Sequence, residues 1–398
     1  MFIPTAVGTV AVGHAASVQL TTGACLYFAG TLVASAATFL SIGALASQLA
    51  DTRRRAAAIA GVTFGAAYAL RMLADSDPTL HWLVWLSPLG WIEESRPLTA
   101  PRPAALLPVL VLIVAASLAT VQLAGTRDLG AAVLPDRDNS PPRLLLLGSP
   151  TTLAIRLMRP TALGWLIAVA CFSLLVGSVA ESATKAVTGS NAVAQALERL
   201  GGHASLVNAY LGLTFVMLAV MIALIAAGQV AAIRSEEAAG RLDNLVVRPM
   251  SRVSWYAGRL MLSAVLLIIT GAVAAFGTWA GATSQRSEVR LGALIAAGFN
   301  IVAPSIFLLG VGALTLGAWP RRASAAVYGY LAWSFLIEFI AAVVHADHWI
   351  LDTSVFFHLA PAPATHPNWS SAALISALGV AAAVIGGAHL HRRDVVGA

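Results

Sequence analysis

Residues 233–254 read IRSEEAAGRLDNLVVRPMSRVS, and this charged loop separates two long apolar runs. The run Leu206–Ala232 comes before it, and the run Trp255–Gly281 comes after it, with Arg259 near its start. About 20 apolar residues are enough for a helix to cross a bilayer. We therefore predict two membrane-spanning helices joined by a charged loop at the membrane surface.

The charged loop has a helical pattern of its own. Glu237 and Arg241 are four residues apart, in the acid-before-base order that stabilises a helix. Leu242, Leu245 and Val246 fall on one face of that helix, which makes it amphipathic. Pro249 ends it, because proline cannot continue a helix. Such a helix, held outside the membrane between two spans, is suited to contact a partner.

The composition predicts an all-α polytopic membrane protein. Hydrophobic residues make up 58% of the chain and charged residues 11%, with a mean hydropathy of +0.81. The net charge of +6 comes from basic groups scattered through the loops, so we expect no nucleic-acid partner. Cys25 and Cys171 lie within apolar runs, and the histidines of the last external loop match no ligand spacing. We therefore expect no bound metal and no cofactor.

The apolar runs predict about nine transmembrane helices: 22–48, 56–74, 104–124, 162–180, 206–232, 255–281, 291–316, 324–344 and 372–390. Arginines are concentrated in every second connection, including the charged loop and the C-terminal Arg392-Arg393. Because cytoplasmic loops carry an excess of basic residues, we expect the charged loop and the C-terminus inside the cell. The same rule places the N-terminus outside.

The chain repeats itself imperfectly at an offset near 267 residues. Arg54-Arg55-Ala56 corresponds to Arg321-Arg322-Ala323, and residues 22–130 resemble 291–398. Residues 140–290 have no counterpart, so we expect that the beginning of a first half is missing. The predicted domains are 1–130, a partial first half with three transmembrane helices and an external re-entrant segment; 131–161, a cytoplasmic linker with an interfacial helix; and 162–398, a second half with six transmembrane helices and the charged loop.

The pattern Glu236-Glu237-x-x-Gly240-Arg241-x-Asp243-x-Leu245, continuing to Pro249 and Arg252, resembles the cytoplasmic coupling loop of ABC-2-type exporter permeases. The most similar branch is that of the polyketide-antibiotic exporters of the tetronasin-resistance kind. This resemblance implies a type V exporter-like fold in the cell membrane. It also implies a permease subunit without enzymatic activity, which moves hydrophobic antibiotics or drugs. ATP and Mg²⁺ would then be bound by a separate cytoplasmic ABC ATPase, in two copies.

The resemblance assigns roles to the loop residues Glu236, Glu237, Gly240, Arg241, Leu242, Asp243, Leu245, Pro249 and Arg252. The three acids would meet basic groups on the ATPase, and the two arginines would brace the loop. Leu242 and Leu245 would fill an apolar groove of the partner, and Gly240 would allow a bend. The alternative is an ordinary solvated loop whose charges only maintain the topology.

Arg71 and Glu338 form a possible intramembrane pair. Each lies sixteen residues after a matched arginine, Arg55 or Arg322, so the two occupy equivalent positions in the repeats. Charges near hydrocarbon usually face a partner or a water-filled cavity, and these two could meet between the repeats. Alternatively, each reaches the external headgroups separately. Asn300 and Pro304 either line a pathway or mark a kink, and the kink is the simpler interpretation.

An enzyme is not predicted. The sequence has no phosphate-binding G-x-x-x-x-G-K-[ST] motif, and its single lysine, Lys185, lies in a predicted external loop. Two alternatives to an ATP-driven exporter stay open. One is an ion-coupled secondary transporter in which Arg71, Glu338 or Asn300 carries the ion. The other is an inactive, truncated membrane scaffold.

Overall fold

The structure is a computed structural model that describes residues 2–14, 20–76, 78–125, 149–187, 206–238, 252–285, 287, 289–341 and 348–392. These residues form helices and connecting turns, with no β-strand element in the described ranges. The all-α prediction is confirmed.

We number the α-helices in chain order, apart from three short 3-10 helices at Pro78–Leu86, Pro103–Leu106 and Pro320–Arg322. They are α1 (Phe2–Gly13), α2 (Thr22–Leu49), α3 (Arg53–Ser76), α4 (Pro88–Glu94), α5 (Leu107–Gly125), α6 (Pro150–Val187), α7 (Leu206–Ala238), α8 (Arg252–Ser284), α9 (Leu291–Asn300), α10 (Val302–Ala318), α11 (Ala323–Ala341), α12 (His348–Leu351) and α13 (Trp369–Arg392).

Eight of the predicted spans correspond to helical segments long and apolar enough to cross a membrane. Within the described residues these segments are α2, α3, α5 with its preceding 3-10 turn, α6, α7, α8, α9 with α10, and α13. The ninth prediction, 324–344, corresponds to α11, a helix of 19 residues, or about 28 Å. Helix α6 has 38 residues and includes Pro160, so residues 150–161 of the predicted interfacial segment and the span after them belong to one helix.

The chain divides into two compact units, Met1–Arg143 and Leu144–Ala398. The division falls among residues 126–148, outside the described ranges, so the predicted domain limits stay predictions. In the first unit α2 packs against α5, and in the second unit α10 packs against α13.

One hydrogen bond recurs in both units at an offset of 267 residues. Ser87 Oγ donates to the carbonyl oxygen of Ala67 at 2.6 Å, and Ser354 Oγ donates to that of Ser334 at 3.2 Å. Both serines are fully buried. In each unit the bond connects the short segment that contains the serine to the long helix before it, as expected of a duplicated unit.

Glycines bring the helices of the second unit into close contact. A Cβ atom on Gly310 would overlap the backbone of Gly379, and one on Gly317 would overlap the backbone of Gly386. Helix α10 therefore lies directly against α13 along two turns or more. Small residues permit such close backbone approach in membrane helices, where van der Waals contact stabilises helix pairs.

The span at 291–318 is interrupted at Ile301, between α9 and α10. Pro304 lies in the first turn of α10, where the missing N–H costs no helical hydrogen bond. Asn300 is 2% exposed, and its Nδ2 donates to the carbonyl oxygen of Ala360 at 2.9 Å. The helix is therefore interrupted beside Asn300 and Pro304, where the sequence predicts a kink, and Asn300 connects this break to the segment that contains Ala360.

Candidate functional site: the helix ends beside the charged loop

The structure describes the two ends of the charged loop but not its centre. Helix α7 continues to Ala238, six residues beyond the predicted span, so Glu236 and Glu237 lie on a helix. Arg252 is described only as the first residue of α8. The predicted loop residues Gly240, Arg241, Leu242, Asp243, Leu245 and Pro249 lie outside the described residues. Their roles stay predictions.

Glu236 forms an ion pair with Arg259 on the next helix. Arg259 Nη2 lies 2.9 Å from Glu236 Oε1, and Arg259 is 2% exposed. Arg259 Nη1 also donates to the carbonyl oxygen of Ala154 on α6, at 3.4 Å. One guanidinium therefore connects α6, α7 and α8 at the point where α7 approaches the charged loop.

Glu237 lies against Arg234 on its own helix. The distance between Arg234 Nη1 and Glu237 Oε2 is 3.9 Å, and Glu237 is 5% exposed. The sequence predicted that Glu236 and Glu237 would meet basic groups of a partner protein. In the structure both acids face basic groups of this chain, and their contact with a partner stays a prediction.

Arg259 belongs to the candidate site through these contacts, and the sequence analysis does not select it. It was noted only as a charge near the start of an apolar run. The signal was present nevertheless, because a charge at the edge of hydrocarbon needs a partner. Glu236 and Glu237 lie just across the loop from it in the sequence, and in the structure Glu236 supplies the complementary charge.

Arg71 and Glu338 each have partners within their own unit. Arg71 pairs with Glu93 and lies 3.6 Å, from Nε to Oδ2, from Asp75 on the next turn of α3. Glu338 Oε1 lies 3.1 Å from Ser354 Oγ, and it shares the single hydroxyl proton of Ser354 with the Ser334 carbonyl. The predicted pairing of Arg71 with Glu338 joins the two units, and it stays a prediction.

A family model described as the C-terminal domain of the multidrug efflux system permease Rv1217c matches residues 147–390. The chain belongs to this family. The matched region runs from the beginning of α6 to the end of α13, so it contains the charged loop and the Glu236–Arg259 pair. The predicted exporter-permease family is confirmed at this level, and the chain is a multi-pass membrane protein.

A comparison over a longer stretch gives the same family. The chain is 30% identical over 323 residues to the multidrug efflux system permease protein Rv1217c of Mycobacterium tuberculosis (strain ATCC 25618 / H37Rv). The similarity covers 79% of this chain and 56% of that protein. The chain therefore spans about half the length of this Rv1217c relative.

Proposed function

We propose that this chain is the transmembrane permease subunit of an ABC exporter. It moves hydrophobic antibiotics or drugs out of the cell, and a separate cytoplasmic ABC ATPase, bound in two copies, hydrolyses the ATP. The observation that carries the proposal is the charged loop, which is attached to the membrane helices through the buried Glu236–Arg259 pair.

The geometry supports a coupling role for this loop. Arg259 contacts α6 through the Ala154 carbonyl and α7 through Glu236, and it belongs to α8 itself. A force applied to the loop by an ATPase would therefore reach three helices together. A solvated loop with no partner needs no such connection at its base.

The proposed orientation follows the distribution of arginines. The charged loop and the C-terminus lie in the cytoplasm, and the N-terminus lies outside. ATP and Mg²⁺ bind to the ATPase, and this chain binds no cofactor. Within the efflux permeases, the loop pattern favours the polyketide-antibiotic branch of ABC-2 exporters, with bulky hydrophobic antibiotics as substrates.

The test is co-purification of the tagged chain with the ABC ATPase encoded nearest to it. Leu245→Asp removes one of the two leucines expected to enter the ATPase. It is a sharper variant than a charge reversal at Glu237, because Glu237 is buried against Arg234 and its substitution would disturb the helix. Arg290→Glu is the control, since Arg290 is exposed at the first turn of α9, on the proposed external side.

We expect the ATPase to elute with the wild type and with Arg290→Glu, and to be lost with Leu245→Asp. Drug uptake into inverted vesicles should then require ATP. Uptake that requires a proton gradient and does not require ATP would instead identify an ion-coupled secondary transporter. Absence of the ATPase from the wild-type preparation, together with absence of any transport, would support the scaffold alternative.

A further inference from the structure

An apolar groove of about 510 Å³ runs between α8, α10 and α13 of the second unit. Its walls are formed by aliphatic side chains, and the close-packed glycines Gly310 and Gly379 lie along it. Met261 on α8 and Val384 on α13 line it and are largely exposed. The groove is therefore open along the side of the unit, at the level of the spanning segments.

The length of the groove matches one leaflet of a bilayer. Along α13 it extends from Gly379 to His391, which is about 18 Å at the helical rise of 1.5 Å per residue. One half of a hydrocarbon core of about 30 Å is about 15 Å. A single acyl chain that lies along the helices therefore fits this groove from end to end.

The lining of the groove is suited to bind hydrocarbon, because it is almost wholly apolar. Among the lining residues that the structure describes, only Tyr256 and His391 carry polar side chains. The Tyr256 hydroxyl already donates to the carbonyl oxygen of Ala313 at 2.6 Å, so it is not available as a donor to a ligand. Binding sites for drug-sized molecules usually present several polar groups that fix orientation. The sides of this groove present none.

The sequence places residues of basic type at one end of the groove. His391 lines that end, and its imidazole is exposed. Helix α8 begins at Arg252 and α13 ends at Arg392, directly beside the groove residues Val253 and His391. Basic residues at the membrane surface attract anionic lipid headgroups. In the proposed orientation this end faces the cytoplasmic leaflet.

We propose that the groove binds one anionic phospholipid of the cytoplasmic leaflet. One acyl chain lies between α8 and α13, and the phosphate lies at His391 and the neighbouring helix ends. The bound chain fills the space that α8, α10 and α13 leave open, so the lipid is a structural ligand of the second unit. The leaflet assignment rests on the proposed orientation, whereas the preference for an anionic lipid does not.

The test is native mass spectrometry of the full chain, purified in mild detergent and mixed with equal amounts of phosphatidylglycerol and phosphatidylcholine. The wild type should retain one phosphatidylglycerol in preference to phosphatidylcholine, by about fivefold for each basic group at the headgroup. Val384→Trp fills the groove and should abolish this retention. Ile385→Trp is the matched control, because Ile385 is an exposed neighbour on α13 that does not line the groove.

A second pair of variants tests the opposite wall. Met261→Trp should also abolish retention, while Val265→Trp, an exposed position on α8 outside the groove, should keep it. His391→Glu should remove the preference for phosphatidylglycerol. Three results would each overturn the proposal. The first is equal retention of phosphatidylglycerol by the wild type and Val384→Trp, and the second is equal binding of both lipids by the wild type. The third is loss of retention in both control variants, Ile385→Trp and Val265→Trp. These readouts require no transport, so they are independent of the proposed exporter function.

Discussion

Arg259 Nη2 lies 2.9 Å from Glu236 Oε1, and this ion pair joins the last turn of α7 to the second turn of α8 across the charged loop. The guanidinium is nearly inaccessible to solvent, and the side chain of Glu236 is 14% exposed. The helices on either side of the loop are therefore fixed to each other.

The first prediction concerns this pair. Glu236→Ala leaves the Arg259 charge buried without its partner, which typically costs about 3–5 kcal/mol. The double substitution Glu236→Leu with Arg259→Met should cost much less, because it removes both charges together. The measurement is the unfolding midpoint of the purified chain in mixed detergent.

Arg55→Ala provides the control for that experiment. Arg55 pairs with Asp51 at 3.2 Å on the surface, with 48% of its side chain exposed, and such pairs contribute at most about 1 kcal/mol. If Glu236→Ala lowered stability no more than Arg55→Ala does, the pair would not hold α7 to α8.

The sequence predicted the helices well, because each span is a long apolar run and run length alone identifies a membrane helix. The offset between Arg54-Arg55 and Arg321-Arg322 also revealed the repeat. The directions of Glu236 and Glu237 could not be predicted in the same way. An acid at the end of a span can face a partner protein or its own helices, and its contacts within the chain depend on where Arg259 and Arg234 lie in the folded structure.

Other features of the structure depend on contacts between residues far apart in sequence. Nothing in the sequence around Ser87 and Ser354 distinguishes them from other serines. Their hydrogen bonds to Ala67 and Ser334 form only in the folded structure. The same holds for Asn300, whose partner Ala360 is sixty residues away.

The second prediction concerns the contact between α10 and α13. Gly310→Ala introduces a methyl group where the backbone of Gly379 lies, and overpacking of this kind typically costs about 1–3 kcal/mol. Gly329→Ala on α11 is the matched control, because a Cβ atom there meets nothing within 4 Å. We expect Gly329→Ala to be neutral or to stabilise by about 0.5–1 kcal/mol. Thermal unfolding of both variants in detergent measures the difference in stability between them. Equal unfolding midpoints would mean that the close contact between Gly310 and Gly379 does not limit the packing of α10 against α13.

The third prediction concerns the break at Ile301. Asn300→Leu removes the donor to the carbonyl oxygen of Ala360, which keeps its hydrogen bond from the Ala362 N–H at 2.7 Å. The expected cost is therefore that of one lost hydrogen bond, about 0.5–1.5 kcal/mol. Thr283→Ala serves as the control, since the exposed Thr283 hydroxyl bonds only to carbonyls of its own helix. Its effect should stay within about 0.5 kcal/mol. Hydrogen exchange at residues 353–360 should rise in Asn300→Leu alone, and unchanged exchange would mean that Asn300 does not anchor this segment.

The fourth prediction uses the duplicated serines. Ser87→Ala removes one hydrogen bond to a helix carbonyl, and the expected loss of stability is about 0.5–1.5 kcal/mol. Ser354→Ala should cost more, because Ser354 Oγ also contacts Glu338 Oε1 at 3.1 Å. The carboxyl group of Glu338 then loses a partner.

A double-mutant cycle isolates this additional contribution. In a Glu338→Leu background there is no carboxyl group for Ser354 to contact, so Ser354→Ala should cost less than it does in the wild type. It still removes the bonds of Ser354 Oγ to the Ser334 carbonyl and from the Phe356 N–H. The unfolding free energies of the two single and the double variants give the coupling energy between Ser354 and Glu338. A coupling near zero would mean that Ser354 does not stabilise the carboxyl group of Glu338.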